Sequence, residues 1–447
     1  MITISSLAAF LSIDINIIKD FKVINRDKDS LIYITTTRKE TNCPCCHSFK
    51  IELKEYKERV INHTLFLARD TYFIHRYRRF KCLSCLKTFS EASDFAPRKA
   101  RVSYETIRLI MYYTKSYKRS WKEIASLAHV SDETAINVFD KYMNPSREKL
   151  SQILSMDECY NKGRFHHAYS CILFNFSTSK LLDVIDGREK NTLIHYFNKI
   201  NREERANVQY VVMDMWEPYL DVATLFFPHA LVAIDSFHVM QNIIRAVNDV
   251  RKKVMSRYKG GTVEYYLLKK WHHLIYQSPD PGEEKTKIKG YKNKWLNRYE
   301  IKQLILSLDE ELKYATYYYS LYQYHNEHSS KEEFTIKIET FINDENIIKI
   351  KEFVPVVEML SNWKPYILNS FIKVNGRRLS NGPIENFNAR FKELLNTSPG
   401  LYTHRRFRNR LMYTYNNIDS YTLASEPLIK PKRGKRGPYK KSSNPKK

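Results

Sequence analysis

The sequence contains no apolar run of the roughly 18 residues that a membrane-spanning helix needs, so we expect no membrane span. No secretory signal is visible either, because the early apolar stretch LAAFLSI has no basic region before it and meets Asp14 almost at once. Cysteine is scarce, at 7 in 447 residues. We therefore expect a cytosolic protein, in which cysteines act more often as metal ligands than in disulfides.

Acidic residues are outnumbered by basic ones. The chain has 49 Asp and Glu against 74 Lys and Arg, which gives a formal net charge of +25. The basic excess is spread along the whole chain, which favours a polyanion partner, and nucleic acid before an anionic membrane surface. A merely basic protein has the same composition, so charge alone does not decide. The hydrophobic share of 43% is sufficient for folded cores and argues against disorder.

Five cysteines lie in a strand-like region, and four of them form two pairs with a two-residue spacing. The pairs are Cys43 with Cys46, and Cys82 with Cys85. Such pairs on strand-like flanks predict a closed tetrahedral thiolate site for structural zinc, a zinc ribbon, with a hairpin filling the gap between them. Cys45 and His47 are lower-ranked ligands, and reduced core cysteines are the alternative. Cys159 and Cys171 lie in strand-like runs and are expected in a core.

The stretch SWKEIASLAHVSDETAINVFDKYM predicts two helices joined by a tight turn. Ser120 and Glu123 form a capping box, and Ser131 caps the second helix. This pattern is typical of a DNA-binding helix-turn-helix, whereas a plain helical hairpin is the alternative. The second helix opens with two acidic residues, which argues against strong base reading. Its candidate DNA contacts are Thr134, Asn137 and Lys141. Further candidates lie in the stretch HRYRRFK and are Arg76, Arg78 and Arg79. This stretch is either a strand that contacts the DNA backbone or simply an exposed strand.

Three later strands are each predicted to end in an aspartate: QILSMDECY at Asp157, VQYVVMDMW at Asp214 and ALVAID at Asp235. The complete order of elements, βββαβαβα, predicts a mixed sheet with an antiparallel meander followed by parallel strands. This is the order of the ribonuclease-H-like fold, in which the first and fourth strands are neighbours. Asp157 and Asp214 would then face one another, although aspartates also occur at strand ends simply as turn residues.

The helix predicted in NGPIENFNARFKELL carries Glu385 near its start. Gly382 is the predicted N-cap there, so Glu385 could be no more than an N3 capping residue. A helix that returns to the sheet edge would instead bring Glu385 to the two aspartates. Three carboxylates suit a pair of Mg²⁺ or Mn²⁺ ions, which take hard oxygen ligands and support phosphoryl transfer.

These segments resemble the DDE transposases of bacterial insertion sequences, of the ISL-three family. The resemblance is carried by SMDE, by VVMDMWEPYLDVATLFFPHALVAIDSFHVMQNI and by RLSNGPIENFNARFKELLNTSPGLYTHRRFRNRL. It implies that Asp157, Asp214 and Glu385 are the catalytic triad and the ligands of the catalytic Mg²⁺, with Asp235 as an additional candidate and His238 nearby. Candidate DNA contacts around Glu385 are Asn388, Arg390, Lys392, Arg405, Arg406 and Arg408.

The resemblance also implies the activity. The enzyme would bind the terminal inverted repeats of its element, cleave DNA with metal-activated water, and join the 3′-hydroxyl to target DNA by two-metal-ion chemistry. It would act as a homodimer or higher assembly on double-stranded DNA, in the bacterial nucleoid. Two alternatives are a catalytically inactive, domesticated DNA-binding regulator and a junction-cleaving nuclease of the same fold.

The predicted organisation has seven segments. They are a lead-in (1–30), the zinc ribbon (31–97), the helix-turn-helix (98–150), the first part of the ribonuclease-H-like catalytic domain (151–258), an all-helical insertion (259–365), the part of the catalytic domain with the Glu385 helix (366–422) and a basic disordered tail (423–447). The tail's stretch KPKRGKRGPYKKSSNPKK has no acidic residue, so it would coat DNA phosphates or simply aid solubility.

Overall fold

The computed structural model describes residues 3–11, 15–38, 41–66, 69–97, 100–288, 291, 293–397 and 403–419. The predicted tail, 423–447, lies outside the described residues. The chain is a mixed α/β protein, as predicted, and divides into two compact units, Met1–Pro145 with Glu393–Lys447, and Ser146–Lys392. Within the described part of the chain, no helix is both long and apolar enough to cross a membrane.

The first unit opens with one helix and five strands. They are α1 (Ile4–Leu11), β1 (Ile18–Asn25), β2 (Asp29–Thr36), β3 (Ile51–Phe66), β4 (Arg69–Cys82) and β5 (Thr88–Ser90). The strand order is β1-β2-β4-β3, and β5 pairs with β4. The long antiparallel pair β3–β4 is the hairpin predicted between the cysteine pairs. The sequence missed β1 in the lead-in, because Ile18 is the one fully buried residue of that strand and the apolar alternation is weak.

Three helices follow: α2 (Tyr104–Thr114), α3 (Trp121–Leu127) and α4 (Asp132–Tyr142). The predicted capping box of Ser120 and Glu123 is confirmed, since each side chain bonds the backbone of the other. The predicted cap of α4 is also confirmed, because the Ser131 hydroxyl accepts from a backbone N–H in the first turn. Trp121 of α3 packs on Phe139 of α4 with ring centroids 5.4 Å apart, which holds the two helices together.

The second unit begins with a sheet and its covering helices. The elements are β6 (Ile153–Tyr160), β7 (Tyr169–Asn175), β8 (Lys180–Asp186), α5 (Lys190–Phe197), α6 (Arg202–Ala206), β9 (Tyr210–Met213), α7 (Glu217–Phe226), β10 (Leu231–Ile234) and α8 (Ser236–Met255). The strand order is β10-β9-β6-β7-β8. β6, β7 and β8 form an antiparallel meander, whereas β9 runs parallel to β6 and β10 parallel to β9. The predicted adjacency of the first and fourth strands is confirmed.

Both faces of this sheet are buried, because successive side chains of a strand point to opposite sides. One face packs into the large core beneath α5, α7 and α8, with Leu154, Met213 and Ile234 among its residues. The opposite face, here called the Leu379 face, contains Ile153, Val212, Ala233 and Leu379. The chain therefore returns after the helical region to cover the second face of the sheet.

The remaining elements are mostly helical, as predicted for 259–365. They are α9 (Val263–Lys270), β11 (Thr286–Lys287), β12 (Trp295–Leu296), α10 (Arg298–Leu306), α11 (Glu310–His328), α12 (Lys331–Ile342), α13 (Glu345–Ile348), α14 (Val354–Asn369), β13 (Lys373–Val374), β14 (Arg377–Arg378), α15 (Gly382–Thr397) and α16 (His404–Tyr415). The exception to the prediction is the short pair β11–β12. Tyr318 and Tyr322 of α11 are 1% exposed, so tyrosine fills the core of this helical region.

α16 belongs to the first unit and packs among its helices. Tyr413 donates its hydroxyl to the carbonyl oxygen of Met111 at 3.1 Å. The buried guanidinium of Arg410 donates to the carbonyl oxygens of Ser116 and Arg119, at 3.0 and 2.6 Å. These bonds satisfy backbone acceptors between α2 and α3, so Arg410 has a structural role.

Candidate active site

The parallel register of β6 and β9 places two predicted catalytic aspartates at the same level. Ser155 pairs with Val212, and continuing that register by two residues brings Asp157 level with Asp214. The sequence predicted that β6 ends at Asp157, which was wrong, because β6 pairs with β7 as far as Tyr160. Only the parallel pairing of β6 with β9 ends near Asp157, because β9 stops at Met213.

Alternation of side chains puts three aspartates on the Leu379 face. Asp157 lies four residues after Ile153, and Asp214 lies two residues after Val212, so each shares the face of that apolar residue. Asp235 follows β10, where its backbone N–H still bonds the Met213 carbonyl at 3.1 Å. The same edge of the sheet therefore carries Asp157, Asp214 and Asp235.

The first turn of α8 adds a histidine to this edge. Asp235 is the N-cap residue of α8 and is 4% exposed. His238 lies in the following turn, with its Nε2 3.2 Å from Oδ1 of Asp214. Ligand atoms of Asp214, Asp235 and His238 lie within 4.8 Å of one another. These three side chains converge closely enough to share one metal ion.

The start of α15 lies against the same carboxylates. The side-chain amide of Asn381, just before the helix, donates to Oδ1 of Asp214 at 3.3 Å and to the carbonyl oxygen of Met156 at 3.2 Å. The helix begins at Gly382, one residue earlier than predicted, so the N-cap is Asn381 rather than Gly382. Glu385 is exposed, and among the described residues its side chain makes no hydrogen bond or ion pair. The Glu385 side chain therefore does not cap the helix.

Asn388, one turn further along α15, holds the first aspartate. Its amide nitrogen donates to Oδ2 of Asp157 at 2.8 Å, and its amide oxygen accepts from the Cys159 thiol at 2.9 Å. The backbone N–H of Glu158 donates to the other Asp157 oxygen at 2.6 Å. Asp157 is thus fixed from two sides. The Asn388 side chain, predicted as a DNA contact, is engaged inside the protein.

Burial and like charge shift two of the carboxyl groups. Burial, together with the negative charges of Asp157 and Asp235, raises the pKa of Asp214 to about 9. Burial also raises the pKa of Asp235, against the lowering effect of His238 and of the Asn381 backbone N–H. The charge of Glu385 raises the pKa of Asp235 further, so Glu385 lies within electrostatic reach.

The donor set fits a divalent cation. Clustered carboxylates with raised pKa values are stabilised in their ionised form by a bound cation, and carboxylate oxygens are the ligands that Mg²⁺ and Mn²⁺ take. Oδ1 of Asn381 is buried and has no hydrogen-bond partner among the described residues, which leaves one more oxygen acceptor beside Asp214. The residues present therefore suit the metal that the sequence predicted.

The four predicted zinc ligands form a separate cluster in the first unit. Sγ of Cys43 is 3.5 Å from Sγ of Cys85, and Sγ of Cys46 is 3.5 Å from Sγ of Cys82. All four thiols are free and lie within 4.8 Å of one another. Sulfur atoms about 2.3 Å from a tetrahedral zinc are roughly 3.8 Å apart, so the cluster is compatible with structural zinc.

Both cysteine pairs use the same backbone turn. The residue after each pair has positive φ: His47 at 56° and Leu86 at 58°. His47 donates its backbone N–H to the Cys43 carbonyl, so its place in the turn is structural. Cys45 lies outside the cluster and contacts the ammonium of Lys87 at 2.7 Å. The two lower-ranked ligands are thus not part of the four-thiol group.

The predicted DNA contacts on β4 differ in exposure. Arg76 is exposed and lies over the Tyr56 ring at 4.6 Å. Arg78 is buried, 3.0 Å from Glu91, and Arg79 is 2.6 Å from Glu55. Arg78 therefore has an internal partner, whereas Arg76 faces solvent.

The other predicted DNA contacts lie on three helices. On α4, Asn137 and Lys141 are exposed, and Thr134 bonds the Ser131 hydroxyl at 2.8 Å. On α15, Arg390 and Lys392 are exposed. The α16 residues have partners within the first unit: Arg405 bonds Asn144, Arg406 forms an ion pair with Asp140, and Arg408 donates to the carbonyl oxygen of Pro145.

Sequence reasoning missed Asn381 and the inward role of Asn388. Asn381 directly precedes Gly382 and Pro383, so its place at the start of the helix was detectable. Its bonds to Asp214 and Met156 were not, because they join parts of the chain more than 150 residues apart. Cys159 and Cys171 are buried, as predicted.

One family model matches the chain over residues 154–411, more than half of its length. The family is that of DDE transposases of the ISL-three type, and its description is transposase. No curated protein matches the chain significantly. The matched range includes the sheet edge with Asp157, Asp214 and Asp235, and α15 with Glu385.

Proposed function

The chain belongs to the ISL-three family of DDE transposases, and on that premise we propose that it is the DNA transposase of an insertion sequence. It binds the terminal inverted repeats, cleaves DNA and joins the freed 3′-hydroxyl to target DNA. The observation that carries this proposal is the parallel register that brings Asp157 level with Asp214, on the face covered by the chain leading to Glu385.

The catalytic domain is a ribonuclease-H-like sheet interrupted by the helical region after α8. The strand order β10-β9-β6-β7-β8 and the meander followed by parallel strands support this assignment. The return of Leu379 to the sheet also supports it, because the chain re-enters the sheet unit after the helices.

Asp157, Asp214 and Glu385 would hold two divalent ions, Mg²⁺ or Mn²⁺, with Asp235 as a further carboxylate. Such ions would supply activation of the attacking oxygen and stabilisation of the leaving oxygen. Asn388 orients Asp157, and Asn381 orients Asp214. The exposed Glu385 is free to reach the site when DNA docks, and Arg390 and Lys392 on the same helix contact phosphate.

The first unit recognises the element ends. A structural zinc on the four cysteines holds the β3–β4 hairpin, and α3–α4 act as a helix-turn-helix. Contacts come from Arg76 and Arg79 on the hairpin, from Thr134, Asn137 and Lys141 on α4, and from Arg405 and Arg406 on α16. Because Arg78 is buried as well as paired with Glu91, it positions the hairpin instead. The family relationship further suggests a homodimer or higher assembly on DNA in the bacterial cytoplasm.

The test is strand cleavage by Asp214→Asn on DNA that carries the terminal repeats. We expect the cleavage rate to fall by more than about 100-fold, since a metal ligand should contribute at least as much to the rate as one oxyanion donor. DNA affinity should persist. The matched control is Asp249→Asn on α8, a residue with a half-exposed side chain whose ion pair with Lys252 is screened by solvent.

Other results would identify the alternatives. A wild-type protein that binds the repeats but cuts no DNA in Mg²⁺ or Mn²⁺ is a domesticated regulator. Cleavage of branched junctions without terminal repeats and without strand joining indicates a nuclease of the same fold. Either result would overturn the transposase proposal.

A further inference from the structure

We propose that Asp214, Asp235 and His238 form a divalent-metal site in which the histidine supplies a nitrogen ligand. This ligand set differs from the all-oxygen triad of Asp157, Asp214 and Glu385, and only Asp214 is common to both. The inference rests on the proposed function for the presence of a divalent ion at this edge. The identity of the ligands rests on the geometry.

The spacing of the donor atoms is that of ligands around one ion. Nε2 of His238 is 3.2 Å from Oδ1 of Asp214. Neighbouring ligands at about 2.1 Å from an octahedral ion are separated by roughly 3.0 Å. An Asp235 oxygen lies within 4.8 Å of both atoms. A cation can therefore enter the cluster with only small movements of the side chains.

The backbone fixes Asp235 and His238 beside each other. Asp235 occupies the N-cap position of α8, and the backbone N–H of His238 donates to the Asp235 carbonyl oxygen at 3.1 Å. Both side chains thus leave the first turn of one helix, which is anchored at the end of β10. Asp214 occupies the same place after β9, the neighbouring parallel strand. A site on these two strand ends is rigid, as metal sites require.

Charge at the cluster favours a cation over a simple ion pair. The Asp235 side chain is buried and that of Asp214 is 14% exposed, while His238 is the imidazole partner of Asp214. One imidazole carries at most one positive charge, so ionisation of both carboxyl groups needs a further cation. The amide nitrogen of Asn381 donates to Asp214, and the buried Oδ1 of the same amide has no hydrogen-bond partner among the described residues, which leaves a polar oxygen unsatisfied beside the cluster.

A nitrogen ligand changes the preferred ion. Mg²⁺ takes oxygen ligands almost exclusively, whereas imidazole suits first-row transition ions and carboxylates also suit Mn²⁺. The mixed set at Asp214, Asp235 and His238 should therefore prefer Mn²⁺ to Mg²⁺. A site built from carboxylates alone has no nitrogen ligand, so it would lack this reason to prefer Mn²⁺ to Mg²⁺.

The test is pulsed electron paramagnetic resonance of Mn²⁺ bound to the full-length, zinc-loaded protein without DNA. We expect a ¹⁴N coupling that is replaced by a ¹⁵N coupling when histidine is ¹⁵N-labelled. His238→Ala should remove the coupling and weaken Mn²⁺ binding about tenfold or more. The matched control is His229→Ala, because His229 is exposed and lies before the opposite end of β10; it should leave both values unchanged.

Isotope labelling keeps the test valid even if His238→Ala fails to fold. Mn²⁺ that binds without any histidine nitrogen coupling would overturn the inference, as would a coupling that persists in folded His238→Ala. Cleavage assays separate this outcome from the proposed function. DNA cleavage without nitrogen coordination refutes only the His238 ligand, whereas nitrogen-coordinated Mn²⁺ without DNA cleavage refutes only the transposase activity.

Discussion

Replacing Asn388 by alanine removes the hydrogen bond that orients Asp157. The amide donates to Oδ2 of Asp157 at 2.8 Å, and Asp157 is 8% exposed, so water has little access to replace the donor. A hydrogen bond to a charged group contributes roughly 1.5–3 kcal/mol. If all of it serves to orient Asp157, single-turnover cleavage should slow roughly 10- to 160-fold.

The assay separates positioning from DNA contact. Asn388 was predicted from sequence as a DNA contact, but its amide is turned toward Asp157 and Cys159. We therefore expect Asn388→Ala to leave the DNA dissociation constant within about twofold of wild type while cleavage at saturating DNA falls. The matched control, Asn386→Ala, changes an exposed residue of the same helix and should leave cleavage unchanged.

The opposite pattern would refute this reasoning. If Asn388→Ala weakens DNA binding but cleaves at the wild-type rate once DNA is saturating, then Asn388 acts on DNA and does not position Asp157. Thermal unfolding of both variants checks that a slower rate is not caused by a loss of folded protein.

Two further predictions concern the first unit. Cys82→Ser should reduce zinc content and lower the melting temperature, whereas Cys45→Ser should do neither, because Cys45 lies outside the four-thiol cluster; equal zinc loss in both variants, measured by metal analysis, would contradict the assignment. Burial lowers the pKa of His63 to about 4. The unfolded chain then binds a proton that the folded state excludes between about pH 6.5 and 4, so roughly 3 kcal/mol of stability should be lost over that interval. If the free energy of unfolding of His63→Gln had the same pH dependence as that of the wild type, the assignment of this loss to His63 would be refuted.

Much of the sheet was predictable because its strands are short and strongly apolar. The runs before Asp214 and Asp235 are almost purely aliphatic and each is followed by a helix, so both strand ends were predicted to within one residue. Asp157 was not, because the parallel ladder stops near it while the antiparallel ladder continues to Tyr160. The pattern of apolar residues in a strand does not show where its pairing with each neighbouring strand ends.

Polar side chains were harder to place, since their partners are remote in sequence. Arg78 lies in a basic run that reads as exposed, yet Glu91 and the Thr36 carbonyl oxygen hold it in the interior. The hydrogen bond from Asn388 to Asp157 spans 231 positions of the sequence. Composition and spacing identified the residue types, while the tertiary fold determined which of them face the aspartate cluster and which face solvent.

We propose that Asp157, Asp214 and Glu385 surround one divalent-metal centre. Iron-mediated protein cleavage tests this most directly: Fe²⁺ replaces Mg²⁺ in the complex with terminal-repeat DNA, and added hydrogen peroxide oxidises the Fe²⁺ and releases radicals that cut the nearby backbone. We expect cuts next to Asp157, Asp214 and Glu385 that excess Mg²⁺ suppresses. The absence of cuts at Asp157 and Glu385, with cuts confined to other parts of the chain, would contradict it.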